Sequence, residues 1–181
     1  MSTLAAPERT TSVPTGTWTS DLIHSWLGFS ARHMVVSTFR GEFPDFQATL
    51  DDGVLTGTAP VSSVVTRDEN LTGHLASPDF FDAERHPEVT FRSTSITFEG
   101  SELVVDGELT MRGATKPLTL RGALSGPAED PYGIERIGIE LSGVVDRREF
   151  GMVWQADMPG GGFVLGNDVV IQAQLELMRQ G

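Results

Sequence analysis

The sequence predicts an all-β protein whose strands close into an antiparallel barrel. The first observation is a set of runs in which apolar and polar residues alternate, because a period of two is typical of half-buried strands. The second is that short turns rich in glycine and charged residues join these runs, as at 51–53 and 112–116. The third is strand length, since runs of about ten residues exceed the usual five or six and favour a tall barrel over a sandwich.

The predicted strands follow one another along the chain with one long interruption. We predict strands at 15–20, 25–34, 38–50, 53–64, 87–98, 103–111, 118–124, 137–145 and 169–177. An open sheet of this size would leave edges that promote aggregation, and closure into a barrel removes them. An eight-stranded barrel has an interior that side chains can fill or that can hold one small ligand.

Glycines inside several predicted strands leave two interpretations open. They are Gly41, Gly57, Gly107, Gly122 and Gly143. Glycine weakens a strand but allows a sharp bend or the close approach of another group. These positions therefore fit either the corners of a barrel or interior room for a ligand.

The interruption, at residues 67–84, carries helix signals instead of strand signals. Residues 66–69 (TRDE) fit a capping box, and Ser77 followed by proline fits a second helix start. Phe80 and Phe81 follow at once. We expect short helical turns that bring these two rings to the mouth of the barrel as a lid.

Composition excludes several classes of protein. With no cysteine, the chain has no disulfide, thiolate metal ligand or cysteine nucleophile. The net charge of −12 repels phosphate backbones, so we expect no nucleic-acid partner. The start of the chain lacks a basic and apolar leader pattern, and no run is long enough to span a membrane. We expect a cytoplasmic protein with no transmembrane segment, a flexible tail at 1–14 and a single domain at 15–180.

Four segments, taken in order, resemble the YceI-like family of bacterial polyisoprenoid-binding proteins. They are DLIHSWLGFSARHMVVSTFRGEF (21–43), GTAPVSSVVTRDENLTGHLASPDFFDAERHPEVTFRSTSI (57–96), VDGELTMRGATKPLTL (105–120) and VVDRREFGM (144–152). The resemblance implies an extended eight-stranded antiparallel lipocalin-like β-barrel with a long apolar pore. It also implies a bound isoprenoid quinone, polyprenyl or other long lipid, held for storage or transport, and a homodimer.

The candidate ligand-binding residues are of two kinds. Large rings would line a tunnel in an open barrel or fill the core of a solid one: Phe29, Phe43, Phe46, Phe80, Phe81, Phe91 and Trp154. Basic and imidazole side chains would ring one end of the pore: Arg32, His33, Arg67, His74, Lys116 and Arg147. Charged side chains on half-buried strands are normally paired, so an ion pair or a bond to the backbone is the alternative for each of these, and the sequence slightly favours it.

No residue pattern indicates metal binding, and we expect no metal and no cofactor other than the lipid ligand. The nearest candidates are His74, Asp79, Asp82 and His86. They lack the histidine spacing that places two ligands on one helical face. The two aspartates fit the start of a helix, where carboxylates meet the positive end of its dipole.

Catalysis also lacks a convincing arrangement of residues. His24 and Ser25 follow Asp21, but neighbours on a strand point to opposite faces and cannot form a triad. An enzyme that isomerises or cyclises a hydrophobic substrate inside the barrel stays open as an alternative. It would use His33, His74 and Asp68 as acid–base groups, with a histidine facing the cavity. A solid-core interaction protein with an exposed apolar patch is the third hypothesis.

Overall fold

The computed structural model describes residues 8–181, and these contain ten strands, one α-helix and two 3₁₀ turns. The strands are β1 (Thr17–Ser20), β2 (Trp26–His33), β3 (Ser37–Glu42), β4 (Gln47–Asp51), β5 (Val54–Pro60), β6 (Glu88–Glu99), β7 (Glu102–Met111), β8 (Ala114–Glu129), β9 (Glu135–Asp146) and β10 (Leu165–Arg179). The helix α1 is Glu69–Ala76, and the 3₁₀ turns are Val61–Ser63 and Arg147–Phe150. The all-β prediction is confirmed.

Eight strands close into an antiparallel barrel, as the sequence predicts. Their order is β1-β4-β5-β6-β7-β8-β9-β10, and β10 pairs back with β1 to close the ring. Strand β2 continues along the edge of β10 beyond β1, and β3 pairs with β2. The long β6 to β10 therefore form a continuous meander, while the first half of the chain completes the wall in shorter pieces.

The predicted strand at 38–50 is two strands in the structure. Strands β3 and β4 are separated by residues 43–46, which include Pro44. Proline has no backbone N–H to donate to a sheet, so it interrupts the hydrogen-bond ladder. Phe43 and Phe46, on either side of the break, are buried. The interruption therefore directs two aromatic rings into the barrel.

The two ends of the barrel are filled differently. At the end that contains Trp18 the side chains are almost completely buried, and a cavity beside Leu50, Leu103 and Leu124 measures about 10 Å³. The side chains nearest to complete burial there are Trp18, Leu50, Leu103, Leu124, Ile137 and Leu177. We call this the tryptophan end. The opposite end carries α1, the Arg147–Phe150 turn and the β2–β3 hairpin, and we call it the helix end.

The helical segment differs from the sequence prediction at both of its starts. Helix α1 has Asp68, not Thr66, as its N-cap, and the Asp68 carboxylate accepts a 2.9 Å hydrogen bond from the N–H of Leu71. The Thr66 hydroxyl donates instead to the Asp68 carbonyl at 2.8 Å. An ionised acceptor bonds backbone N–H groups more strongly than a hydroxyl, which favours Asp68 as the cap. After Ser77 the chain makes successive turns and no second helix.

The N-terminal segment runs alongside β8. Residues 1–7 lie outside the described residues. From there on, the N–H of Thr10 donates to the carbonyl of Leu124 at 3.0 Å, and the N–H of Gly126 donates to the carbonyl of Glu8 at 3.1 Å. The flexibility of the whole segment 1–14 stays a prediction. Across residues 8–181, no helix combines the length and apolar character that crossing a bilayer requires.

Candidate functional site

The half of the barrel nearer the helix end is hollow. Its cavity has a volume of about 170 Å³, roughly ten times the 10–15 Å³ that a single water molecule needs. Strands from β2 to β10 all contribute side chains to its wall, and no polar atom of the protein is exposed on that wall. An apolar space of this kind favours hydrocarbon over water.

A cluster of four phenylalanine rings lines one side of the cavity. The centroid of Phe29 lies 6.2 Å from that of Phe39, 5.6 Å from that of Phe43 and 5.9 Å from that of Phe81. Phe43 and Phe81 are 5.5 Å apart at an interplanar angle of 76°. Such edge-to-face pairs contribute about 0.5–1.5 kcal/mol beyond the burial of their area. The cluster therefore links β2, the break after β3 and the segment that follows α1.

Two glycines show how the wall makes room for its contents. A Cβ on Gly41 would stand 2.4 Å from Cζ of Phe29, so that ring lies directly on the backbone of β3. Gly57 shares its face of β5 with the buried Leu55 and Ala59, and it belongs to the cavity wall. A Cβ there would meet no atom closer than 3.8 Å. Gly57 therefore fits interior room for a ligand, one of the two interpretations of the strand glycines.

Residues 69–87, which we call the lid, cover the cavity at the helix end. Leu75, Phe80 and Phe81 are buried, and all three belong to the cavity wall. Phe80 also packs against Trp154, with ring centroids 5.6 Å apart. Arg112, in the turn between β7 and β8, donates a 2.8 Å hydrogen bond to the carbonyl of Pro78. The lid is thus held both by apolar contacts from below and by a hydrogen bond from the barrel rim.

Arg147 is a buried cation at the edge of the cavity, and it is 3% exposed. Its guanidinium donates to four backbone carbonyls, those of Met152 (2.6 Å), Trp154 (2.8 Å), Gly166 (2.9 Å) and Leu165 (3.4 Å). Burial lowers the pKa of Arg147 from its usual value. Because no polar atom is exposed on the cavity wall, Arg147 borders the cavity through carbon atoms. Its polar end ties residues 152–166 to the barrel.

The structure brings the six phenylalanine candidates together on the cavity wall and leaves Trp154 and most of the polar candidates outside it. On the cavity wall lie Phe29, Phe43, Phe46, Phe80, Phe81, Phe91 and Arg147. Outside it lie Arg32, His33, Arg67, His74, Lys116 and Trp154. His33 pairs across the sheet with Leu165, and Lys116 pairs with Leu109, so both lie beside wall residues without belonging to the wall. Arg67 is exposed just before the lid. Of the six polar candidates, Arg147 alone belongs to the wall.

Several wall residues were not among the sequence candidates. They include Leu27, Leu109, Met111, Leu118, Val169 and Ile171. Their inward direction is visible in the alternation of the strands. Alternation cannot show which half of a barrel is hollow, because that depends on the side chains stacked from opposite walls.

None of the three acid–base groups of the enzyme hypothesis belongs to the cavity wall. His33 lies at the end of β2, two residues beyond the wall residue Ala31. Within residues 8–181, no histidine, aspartate or glutamate belongs to the cavity wall. His74 Nε2 is 2.9 Å from a carboxylate oxygen of Asp79, and Asp68 caps α1. The Ser25 hydroxyl bonds both the N–H and the carbonyl of Glu176, which keeps it engaged with the backbone of β10.

One group of potential metal ligands occurs in the part of the chain that the structure describes. Asp21, His24 and Glu176 bring a ring nitrogen and two carboxylates together. Arg136 pairs with both carboxylates, since its Nη1 lies 2.8 Å from Oδ2 of Asp21 and 2.6 Å from Oε1 of Glu176. Hydrogen bonds from His24 and Arg136 lower the pKa of Asp21 to about 2, and the bond to Asp21 raises the pKa of His24. The group is an ion-pair network between β9, β10 and the connection from β1 to β2.

The sequence is similar to a family of bacterial proteins over nearly the whole barrel. The YceI-like domain matches residues 18–177. The UPF0312 protein plu2095 of Photorhabdus laumondii is 36% identical over 134 residues, which cover 70% of each chain. Protein YceI of Escherichia coli O157:H7 is 35% identical over 134 residues, with the same coverage of 70% of each chain.

Solved structures share the fold. The YceI protein of Campylobacter jejuni is 25% identical with a TM-score of 0.69, covering 83% of this chain and 90% of its own. BcnA of Burkholderia cenocepacia has a TM-score of 0.72 at 21% identity, covering 87% and 98%. A polyisoprenoid-binding domain from Saccharophagus degradans, implicated in plant cell wall breakdown, has a TM-score of 0.69 at 11% identity, covering 92% and 100%. By its sequence match and its barrel, the chain belongs to the YceI-like family.

Proposed function

We propose that this protein binds a long apolar lipid, of the isoprenoid class, inside its barrel and stores or carries it. The observation that carries the proposal is the hollow half of the barrel, whose wall exposes no polar atom. The isoprenoid class is supported by the polyisoprenoid-binding domain of Saccharophagus degradans, which shares the fold. A quinone or a polyprenyl lipid would each provide the required tail.

The energetics of burial make a hydrocarbon tail sufficient to hold the ligand. Burying one CH₂ group contributes about 0.8 kcal/mol, so a five-carbon isoprene unit contributes roughly 3–4 kcal/mol before the costs of binding. A polar head group inside an apolar cavity would lose its hydrogen bonds to water without replacement. We therefore place the tail in the cavity and the head group outside it.

Binding without catalysis is favoured over the enzyme hypothesis by the position of the titratable groups. A general acid or base must reach the substrate within hydrogen-bonding distance. In the described residues, His74 is bonded to Asp79, and the wall carries no carboxylate or imidazole. A substrate held in the cavity would meet hydrocarbon on every side.

The ligand itself tests the proposal. Native mass spectrometry of the purified protein should show an added mass that organic solvent removes, and analysis of the extract should identify a lipid with an isoprenoid tail. Protein that carries no lipid, and takes up none when offered isoprenoid quinone or polyprenol, would contradict it. Homodimer formation and cytoplasmic location stay predictions, which sedimentation velocity and cell fractionation test.

A further inference from the structure

Several large apolar side chains are exposed at the helix end of the barrel. Met34, Val35 and Val36 form the turn between β2 and β3, and Val35 and Val36 are 73% and 81% exposed. The N–H of Met34 donates a 2.8 Å hydrogen bond to the carbonyl of Val164. That bond brings the neighbouring Phe163, which is 60% exposed, close to the hairpin. We call Met34, Val35, Val36 and Phe163 the apolar tip.

The backbone of the apolar tip does not favour the residues that occupy it. Met34 has φ of 50° and Val35 has φ of 65°, both in the left-handed region. A β-branched residue is a genuine outlier there, whereas glycine and asparagine adopt this region readily. Backbone strain at an exposed position points to a function for the side chain there. The property that these side chains supply is apolar surface.

The apolar tip stands beside the cavity. Ala31 on β2 and Leu165 at the start of β10 both belong to the cavity wall. Leu165 pairs across the sheet with His33, which directly precedes Met34. Leu165 also follows Val164, whose carbonyl accepts the hydrogen bond from Met34. Along the chain, the residues of the apolar tip are therefore only a few positions away from residues of the cavity wall.

Three backbone polar groups of the tip have hydrogen-bond partners within the chain. The N–H of Met34 is bonded to Val164, and the N–H of Val36 donates to the carbonyl of His33 at 3.2 Å. The carbonyl of Val35 accepts a 2.6 Å hydrogen bond from Nη2 of Arg32. Unpartnered backbone groups are costly in hydrocarbon, so these bonds reduce the cost of entering a lipid phase. They also leave fewer groups free for a strand of another protein to pair with.

We propose that the apolar tip docks on the surface of a lipid bilayer, with Val35, Val36 and Phe163 entering its apolar layer. The docked protein then exchanges the tail of its ligand between the membrane and the cavity. This inference rests on the proposed function, because a lipid ligand of that chemistry resides in bilayers. The net charge of −12 favours a neutral surface over an anionic one.

Flotation with phosphatidylcholine vesicles tests the docking directly. The variant Val35→Asn/Val36→Asn removes two apolar side chains, and asparagine suits the positive φ at position 35. We expect its vesicle partition coefficient to fall about tenfold or more, since burying one valine side chain contributes a factor of that order. The control Ile23→Asn/Tyr132→Asn removes apolar side chains that are 87% and 88% exposed outside the helix end. It should float as well as the wild type.

Parallel measurements separate this proposal from the function on which it rests. After incubation with the same isoprenoid in the absence of vesicles, the lipid content measured by organic extraction should be equal in the wild type and in Val35→Asn/Val36→Asn. The docking proposal would be overturned if wild-type protein carried lipid but did not float with the vesicles. It would also be overturned if the control variant lost as much vesicle binding as the tip variant. A third contradicting result would be a wild type that is a dimer, a tip variant that is a monomer, and no vesicle binding by either protein. The tip would then be a contact between copies of the chain. Lipid-free protein that still floats would contradict the ligand proposal alone.

Discussion

The rings of Phe43 and Phe81 meet edge to face, with their centroids 5.5 Å apart. Phe43 lies in the break between β3 and β4, and Phe81 lies in the lid. This contact joins the wall of the cavity to the lid, and both rings line the cavity. The lid therefore shares its packing with the ligand site, so lid stability and ligand retention should change together.

Replacing Phe81 by alanine should loosen the lid. Truncation of a buried phenylalanine typically lowers the free energy of unfolding by about 3–5 kcal/mol, through lost contacts and the space left behind. Chemical denaturation measures this loss, and transfer of lipid to acceptor vesicles measures faster release. Phe163→Ala is the control for stability, since that ring is 60% exposed. Equal effects of the two changes on unfolding would contradict the assigned packing.

Arg147 should be far more important for stability than its neighbour Arg148. Arg147→Ala removes a donor from four backbone carbonyls, and hydrogen bonds to charged groups are worth about 1.5–3 kcal/mol each. We expect the free energy of unfolding to fall by roughly 3 kcal/mol or more. Arg148 is half exposed and bonds the carboxylate of Asp146, so Arg148→Ala should cause a much smaller loss. Urea unfolding of both variants measures the two losses in the free energy of unfolding. Losses of similar size would contradict this assignment.

The bond between Asp21 and His24 should be visible in the titration of the imidazole. The pKa of His24 is raised by its hydrogen bond to Asp21, so Asp21→Asn should lower it toward the usual value. An NMR titration of the His24 ring protons measures the change. Asp146→Asn is the control, because that carboxylate interacts with Arg148 instead. An unchanged His24 pKa in Asp21→Asn would show that the pair does not form.

Acid should weaken the fold partly through the same aspartate. The pKa of Asp21 is lowered to about 2 in the folded protein, below the value of about 3.9 for an unperturbed aspartate. Its contribution is present above the unfolded-state pKa and is lost as the pH falls through the folded-state pKa. Stability should therefore decline between about pH 4 and pH 2, and decline less in Asp21→Asn. Urea midpoints across this range test the difference, and parallel curves for the two proteins would contradict it.

Strand positions and their inward faces follow from the sequence because alternation directly records which side of a strand is buried. The same holds for the aromatic part of the site, since large rings on inward positions must either fill a barrel or line it. Proline at position 44 divides one predicted strand, and its missing N–H is visible in the sequence.

The hollow half of the barrel could not be predicted from residue types. Trp18 packs one end solid while Gly57 and Ala48 leave room nearer the other, and this depends on strand register. The role of Arg147 depends on the path of residues 152–166, which brings carbonyls to its guanidinium. The strain at Val35 is likewise a property of the backbone, and the residue type gives no sign of it.

A matched pair of glycine substitutions tests the central claim most directly. Gly57→Leu places a side chain in the cavity, whereas Gly138→Leu adds the same side chain on the outer face of β9, where a Cβ would meet no atom closer than 3.9 Å. Lipid bound per protein is measured by organic extraction and mass spectrometry after exposure to the same isoprenoid. We predict that Gly138→Leu binds as much lipid as the wild type and that folded Gly57→Leu binds little or none. Full lipid content in folded Gly57→Leu would show that the ligand does not occupy this cavity.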